Sequence, residues 1–420
     1  MCATFCNLAS MFGTHLRQHS FFALALVLAA ASPLRADDWP NWRGPHHNGI
    51  STESGWLAKW PADGPPQLWK ASVGIGFSSV AVCNGRAYTM GNQKDIDTVF
   101  CFDADTGKLL WKQSYPCPTD PHFYEGGTSA TPTVEGNNVF TLSKKGDLFC
   151  FAADDGKIVW SKNIAKELSL ESPMWGFASS ALIEGKLLLL NVGSLGAALD
   201  KSSGKVVWTT GTAASGYSTP VPCSFGGKPA LALMTGSGAA GVDMATGAQL
   251  WQYPLKSDWK IFAADPVPAG DRLFISSMYA GSGALLQFQD GTAKAVWQNG
   301  NLRNQLNSSV LVDGFLYGVD GWAGPTSDAG LKCVDLQNGA VKWNYQDVGG
   351  GALMVADGKI IALSDKGELF TAAVSPQSFT PISRVQVLGG RCWTVPVLAN
   401  GRLYCRNARG DLVCLDVKPH

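Results

Sequence analysis

The sequence predicts an all-β fold, an eight-bladed β-propeller, and three observations carry that prediction. An 11-residue pattern ending in tryptophan recurs along the chain. A second series, of glycines between short apolar runs, repeats eight times in step with it. The 48 glycines and 22 prolines punctuate these runs, and no segment carries a helical apolar stripe. A period of about 40–50 residues built only from strands is that of propeller blades.

The tryptophan pattern reads CFDADTGKLLW at 101–111, CFAADDGKIVW at 150–160 and ALDKSSGKVVW at 198–208. It continues as GVDMATGAQLW at 241–251, QFQDGTAKAVW at 287–297 and CVDLQNGAVKW at 333–343. With Trp69 as an earlier partner, the series Trp69, Trp111, Trp160, Trp208, Trp251, Trp297 and Trp343 has intervals of 42, 49, 48, 43, 46 and 46 residues. Apolar alternation before the aspartate marks a strand. Asp-x-x-Thr-Gly is a turn, in which carboxylate and hydroxyl accept nearby N–H groups and glycine takes positive φ. The run that follows is the outermost strand, whose tryptophan is expected to wedge between adjacent blades.

The glycines Gly85, Gly136, Gly185, Gly227, Gly270, Gly314, Gly358 and Gly401 count eight inner hairpins, hence eight blades. Pro66-Gln67-Leu68-Trp69 is an outer strand with no inner strands before it, and Cys414-Leu415-Asp416 begins a motif that reaches no tryptophan before His420. The N-terminal outer strand is therefore expected to complete the C-terminal blade, removing two sheet edges. Blade seven is degenerate, with Phe379 expected in place of tryptophan.

The ring is expected to occupy 65–420, after an N-terminal extension at 37–64 and a signal peptide at 1–36. Phe21 to Ala31 is an apolar run of 11, preceded by Arg17 and followed by Ser32 to Ala36, too short for a bilayer span but fitting a secretory signal. Met11 is a second candidate start. No later run reaches 18 apolar residues, so no transmembrane segment is expected in the mature chain, and no cysteine follows the apolar run to take a lipid. The whole chain has 33 basic and 33 acidic residues, and the leader holds Arg17, Arg35 and no acid, so the mature chain is nearly neutral. Such a balance, without a basic cluster, argues against nucleic acid as partner.

At these residues the chain resembles the pyrroloquinoline quinone (PQQ) repeat family, the motif being similar to the tryptophan-docking motif of quinoprotein alcohol dehydrogenases. The resemblance covers about 66 to 417. It implies an eight-bladed ring and either of two roles. The same repeat serves dehydrogenases and the non-catalytic accessory lipoprotein of outer-membrane β-barrel assembly. The leading Asp38-Trp39-Pro40-x-Trp42-Arg43-Gly44-Pro45 also resembles the start of many secreted bacterial proteins with this repeat. Quinoprotein dehydrogenases resemble one another in a vicinal cysteine pair, a Glu/Asn/Asp calcium set and an axial Asp base. Here no two cysteines are adjacent, and no Cys-x-x-Cys-His haem site exists.

Repeated residues are read as structural. Cys101, Cys150, Cys333 and Cys414 share a slot that Ala198 and Gly241 also fill, so they are expected to be small buried packing residues. Cys405 and Cys414 face each other if Arg409-Gly410 is the hairpin turn, compatible with a cross-strand disulfide or with free thiols. His46-His47 is read as a solvated loop, with no metal site. The recurring Asp103, Asp200, Asp243, Asp335 and Asp416 are turn residues.

Function is sought where the repeat is broken. Connections from each outer strand to the next inner strand share one face and carry Tyr124, Trp175, Tyr217, Trp259, Arg303, Asn307, Trp322, Arg391 and Trp393, the candidate ligand- or partner-binding residues. Asp265 joins them, alone at an inner position otherwise held by Ser79, Thr131, Ser180, Thr219 and Ser309. That hydroxyl ring is expected to line a water-filled channel, or a ligand funnel. No catalytic residue is assigned and no cofactor is expected. The favoured expectation is an exported, periplasmic or secreted monomer that binds a protein partner in the cell envelope. The alternatives are an oxidoreductase using PQQ with calcium, and a carbohydrate or small-ligand binder.

Overall fold

The computed structural model describes residues 37–419 apart from 120, 122–123, 258, 290 and 325–326. The signal-peptide reading of 1–36 therefore lies outside the described residues. The described chain forms eight sheets arranged as propeller blades, each built on four antiparallel strands that follow one another in sequence except in the last blade, and blade seven carries a fifth strand. Within a blade, strands A to D run from the axis outward. Blade one, for example, is Ala81–Cys83, Arg86–Gln93, Ile96–Asp103 and Leu109–Pro116. Turns A–B and C–D lie on one face, the turn face. Loops B–C and the D-to-A connections lie on the other, the loop face.

Closure follows the expected route. Gln67–Ser72 is strand D of the blade whose other strands are Val397–Ala399, Arg402–Arg406 and Asp411–Asp416, with Trp69 opposite Cys414. Sealing the ring with the two chain ends in one sheet leaves no half-blade with an unpaired inner edge.

The repeat motif is the joint between blades. Asp103 Oδ1 accepts from Asp105 N, Thr106 N and Thr106 Oγ1, and Gly107 takes φ 70°. That turn presents the Ala104 carbonyl to Trp69 Nε1 of the preceding blade at 3.0 Å, while Gly107 lies against the Trp69 ring, where a Cβ would approach to 2.6 Å. The same joint recurs from Trp111 to Ala153 O, Trp160 to Lys201 O, Trp208 to Met244 O, Trp297 to Leu336 O and Trp343 to Ser375 O. Trp251 packs on Phe288 of the next blade at 4.8 Å. At each tryptophan the C–D register shifts by a bulge, which re-aims the indole across the gap. Trp69, Trp111, Trp208 and Trp251 are buried, while Trp160, Trp297 and Trp343 are partly covered.

The core accordingly lies between blades. One cluster joins Tyr88, Met90, Val99 and Trp111 of blade one to Val139 and Phe151 of blade two. Cys101, Cys150, Cys333 and Cys414 are buried free thiols opposite the docking tryptophans, where space is short. A Cβ on Gly241 in that slot would meet Trp251 at 2.0 Å.

Three details differ from the sequence reading. Cys405 faces Val413 and Cys414 faces Tyr404, so the two cysteines project to opposite sheet faces and no cross-strand disulfide forms. The cause is the turn: Asn407 brackets Asp411 with reciprocal hydrogen bonds, giving an odd-membered loop that moves the register by one residue. In blade five, Leu285 rather than Gln287 faces Trp297, because strands C and D continue to Gln289 and Thr292. In blade seven, Ser383 holds the tryptophan register opposite Thr371, while Phe379 packs back on Trp343 and Tyr345.

The missing docking residue of blade seven is replaced from the N-terminal segment. Trp60 N donates to Ser383 Oγ, Thr371 Oγ1 donates to Ala58 O, and Trp56 is buried with Leu363, Leu403 and Leu415 between blades seven and eight. Upstream, Ile50–Ser51 adds a parallel strand to Ala352–Ala356 of blade seven.

Candidate functional site

Around the axis, backbone N–H groups just before the inner strands of blades one to five each donate to a side-chain oxygen of the next blade. Ser79 N donates to Thr131 Oγ1, Thr131 N to Ser180 Oγ, and Ser180 N to Thr219 Oγ1, at 2.9–3.0 Å. Thr219 N then donates to Asp265 Oδ1, and Asp265 N to Ser308 Oγ, both at 2.8 Å. Ser79 Oγ returns to Val395 O of blade eight. These groups are buried, so the hydroxyls stitch the ring together and do not line a water-filled channel. Blade six contributes Ser308 to this belt. The neighbouring Ser309 hydroxyl instead donates to Asn304 Oδ1.

The axis is filled from the turn face by the N-terminal segment. Trp42 Nε1 donates to Asp265 Oδ2 at 2.7 Å, and Arg43 Nε lies 3.9 Å from the same oxygen. The buried Arg43 guanidinium also donates to Ser309 O, His47 O and Asn48 O. Trp39 bridges to Val82 of blade one, Pro40 O accepts from Val134 N of blade two, and Glu53 Oε1 accepts from Gly401 N of blade eight. Burial pushes the Asp265 carboxyl up and the Arg43 guanidinium down, each opposed by the other's charge. Asp265 thus both completes the belt and locks the plug.

On the loop face the structure brings several sequence candidates together. Tyr124 and Trp393 both pack on Phe77, at 5.6 and 5.5 Å between ring centroids. Arg391 lies over the Trp393 ring at 4.5 Å and pairs with Glu125. Trp175 meets Tyr217 edge-on at 6.2 Å, and Tyr279 accepts from Gln305 Nε2 at 2.9 Å. Burial pushes Tyr217 up to about 12 and raises Tyr124 and Tyr279, and the Tyr217 and Tyr279 hydroxyls lie near enough to raise Tyr124 further. Phe77, Glu125, Tyr279 and Gln305 were not legible as site residues. Phe77 precedes a strand like any apolar residue, and Tyr279 sits on a B–C loop rather than a D-to-A connection.

The other candidates divide by role. Asn307 is buried and donates to Gly351 O and Trp393 O, tying blades six, seven and eight. Arg303 is held by Asp320 and Asp328, with Lys332 on the same Asp320. Trp259 and Trp322 are 59% and 40% exposed on the loop face, Trp322 on the B–C loop of blade six between Phe315–Asp320 and Gly330–Asp335 and not on a D-to-A connection as the repeat pattern implied.

A quinone with calcium does not fit these residues. Calcium takes six to eight oxygen ligands, typically with several carboxylates, yet both oxygens of Asp265 are engaged and Glu125 is paired with Arg391. Among the described residues no three His, Cys, Asp or Glu side chains are grouped to hold a metal, and the nine cysteines are unpaired thiols. Among the described residues no helix is long and apolar enough to cross a membrane.

A family model described as outer membrane protein assembly factor BamB matches residues 97–345. No curated protein matches the chain significantly. The solved structure of BamB from Moraxella catarrhalis is 18% identical and aligns over 84% of this chain and 98% of its own, with a TM-score of 0.60. Quinohemoprotein alcohol dehydrogenase from Comamonas testosteroni is 12% identical over 93% and 82% of the two chains, with a TM-score of 0.68. The computationally designed Ika8 protein is 11% identical over 84% and 99%, with a TM-score of 0.57. At these identities the likeness is one of fold.

Proposed function

Because the chain belongs to the propeller family described as outer membrane protein assembly factor BamB, we propose that it is an exported, non-catalytic scaffold that binds a protein partner of outer-membrane assembly through its loop face. The observation that carries this reading is the set of large apolar side chains on that face that the described residues leave exposed. Met174, Trp259 and Trp322 are 61%, 59% and 40% exposed on connections that the rigid ring holds in place. Exposed tryptophan on a preorganised surface is a usual anchor of protein interfaces. The engaged state of Asp265 supports a scaffold over an enzyme, since its carboxylate has no free oxygen to serve as a base. Export rests on the apolar run Phe21 to Ala31 behind Arg17.

A photo-crosslinking side chain placed at 174, 259 or 322 in envelope-localised protein tests the reading. A discrete crosslinked protein of the assembly machinery is expected from these positions and not from Val207 on an outer strand. Labelling at Val207 alone, or none from the loop face, would remove the proposal. The convergence of Tyr124, Tyr217 and Tyr279 favours a second reading, a sugar or small polar ligand at the axis. Saturation-transfer NMR with envelope glycans separates it from the first.

A further inference from the structure

On the turn face, opposite the proposed partner surface, lies a cleft of about 420 Å³. Residues 40–47 form one wall, and the turn ends of the innermost strands of blades two, three and four form the other. Its volume falls within the range of small-ligand sites, about 300–1,000 Å³. The wall is held rather than draped. Pro40 O accepts from Val134 N at 2.7 Å, and Arg43 ties His47 O and Asn48 O back to the ring through Ser309 O.

The lining has a consistent chemistry. Pro40, Pro45 and Pro222 give apolar surfaces that lose little entropy when covered. His47 is half-buried, and burial with the nearby Arg43 charge pushes its imidazole down to about 4, so it is neutral and can accept a hydrogen bond near pH 7. Of the two carboxylates, Glu135 is neutralised, both oxygens lying 2.5–2.7 Å from Lys201 Nζ. Glu184 is half-buried, and among the described residues it has neither ion pair nor side-chain hydrogen bond. Burial raises its carboxyl above the ordinary value. A half-buried carboxylate without a partner, on a preformed cleft whose other acid is already paired, is a place where a cation gains a charge-assisted hydrogen bond.

We infer that this cleft binds a small organic cation, an ammonium or guanidinium group on an apolar body, with the charge on Glu184 and the body between the prolines. The same chemistry can arrive as a free amine or as a basic side chain, and the arms of the experiment separate these sources. The full-length exported chain is titrated calorimetrically with 1,4-diaminobutane, argininamide and tetralysine, with 1,4-butanediol as the neutral control. At least one cationic probe is expected to bind and the diol is not. Glu184→Gln is expected to weaken binding about tenfold or more, the loss typical of a charge-assisted hydrogen bond. Tetralysine binding without either small probe assigns the site to a peptide side chain. In parallel, the imidazole proton resonances of His46 and His47 are expected to shift on titration of the unmodified chain, a readout independent of the variant's folding. Absence of binding by all three cations, equal binding by Glu184→Gln, preference for the diol, or unmoved histidine resonances would each overturn the inference.

Discussion

The Trp42 indole N–H donates to Asp265 Oδ2 at 2.7 Å across 223 positions of sequence, joining the segment before the ring to the belt at its centre. Arg43 shares that buried carboxylate, so one acid both neutralises the plug's buried cation and accepts its indole N–H.

Asp265→Ala should therefore strip the buried Arg43 of its counter-charge and leave Thr219 N and the Trp42 indole unpaired. Removing one partner of a buried ion pair costs about 3–5 kcal/mol. Urea unfolding should register that loss, and limited proteolysis should cut within 37–64 first. Pairing the change with Arg43→Met should recover part of it, because the stranded charge is then gone.

The docking tryptophans make a graded prediction. Trp111→Ala should cost about 3–5 kcal/mol, as for other core aromatics, because it empties the joint with blade two and leaves Ala153 O with Arg86 as its remaining side-chain donor. Trp160→Ala should cost less, since Trp160 is only partly covered. Thermal unfolding of the two variants side by side checks the order. Equal, small losses would mean that the indoles are not what holds blade to blade.

These joints were legible because each is written locally. Asp103, Thr106 and Gly107 make one turn with their own backbone, and the interval to Trp111 follows from hairpin geometry. The features missed are those that repetition does not encode. Ser383 occupies a tryptophan register only because Ala58 and Trp60, over 300 residues earlier, cover it. The Asn407–Asp411 loop moves a register by one residue through side-chain bonds that no motif announces. At the axis, Asp265 was visible as an exception, but its partner lay in a segment read only as an extension. The loop-face candidates came halfway. Tyr124, Trp175, Tyr217, Arg391 and Trp393 do gather, but Tyr279 reaches the same region from a B–C loop that the repeat pattern treats as ordinary, where it accepts from Gln305 of a D-to-A connection.

Glu53 predicts a pH dependence. Burial lifts its carboxyl from 4.5 to about 7 in the folded chain, although Gly401 N donates to one oxygen. An acid whose folded pKa exceeds its unfolded value holds more protons folded than unfolded between the two. Its contribution to stability is therefore lost as pH rises from about 4.5 to 7. Asp97, raised to about 6, acts in the same direction. Glu53→Gln keeps an acceptor for Gly401 and should stabilise the protein above pH 7 by roughly 1–3 kcal/mol, the cost of an unsatisfied buried polar atom. Denaturant midpoints from pH 5 to 8 check this; a variant whose midpoint still falls as steeply would assign the slope elsewhere.

Ring closure predicts an association phenotype. Deleting Asp411 to His420 removes strand C of blade eight, so Gln67–Ser72 loses its only sheet neighbour and Arg402–Arg406 gains an open edge. Open edges recruit other chains. Light scattering should show oligomers, and hydrogen exchange should rise at 67–72. A monomer with unchanged exchange there would mean that the seal is dispensable.

The last prediction concerns the chemistry that the repeat shares with quinone enzymes. An orthoquinone needs a cation to polarise its reactive carbonyl, oxygen ligands to hold that cation, and a base for the substrate proton. Asp265 is the acid at the belt, but Thr219 N holds one oxygen, and Trp42 and Arg43 hold the other. Using it as a ligand would mean withdrawing the plug, and using it as a base would mean giving up the belt hydrogen bond as well. On the loop face, the tyrosines are held protonated near neutral pH by burial, which leaves donors and not a base. Protein refolded with PQQ and Ca²⁺ should therefore show no dye-linked oxidation of simple alcohols or sugars, and no quinone absorbance should remain after gel filtration. Turnover that disappears in Asp265→Ala would require the plug to open, and would return the axis to the enzymes.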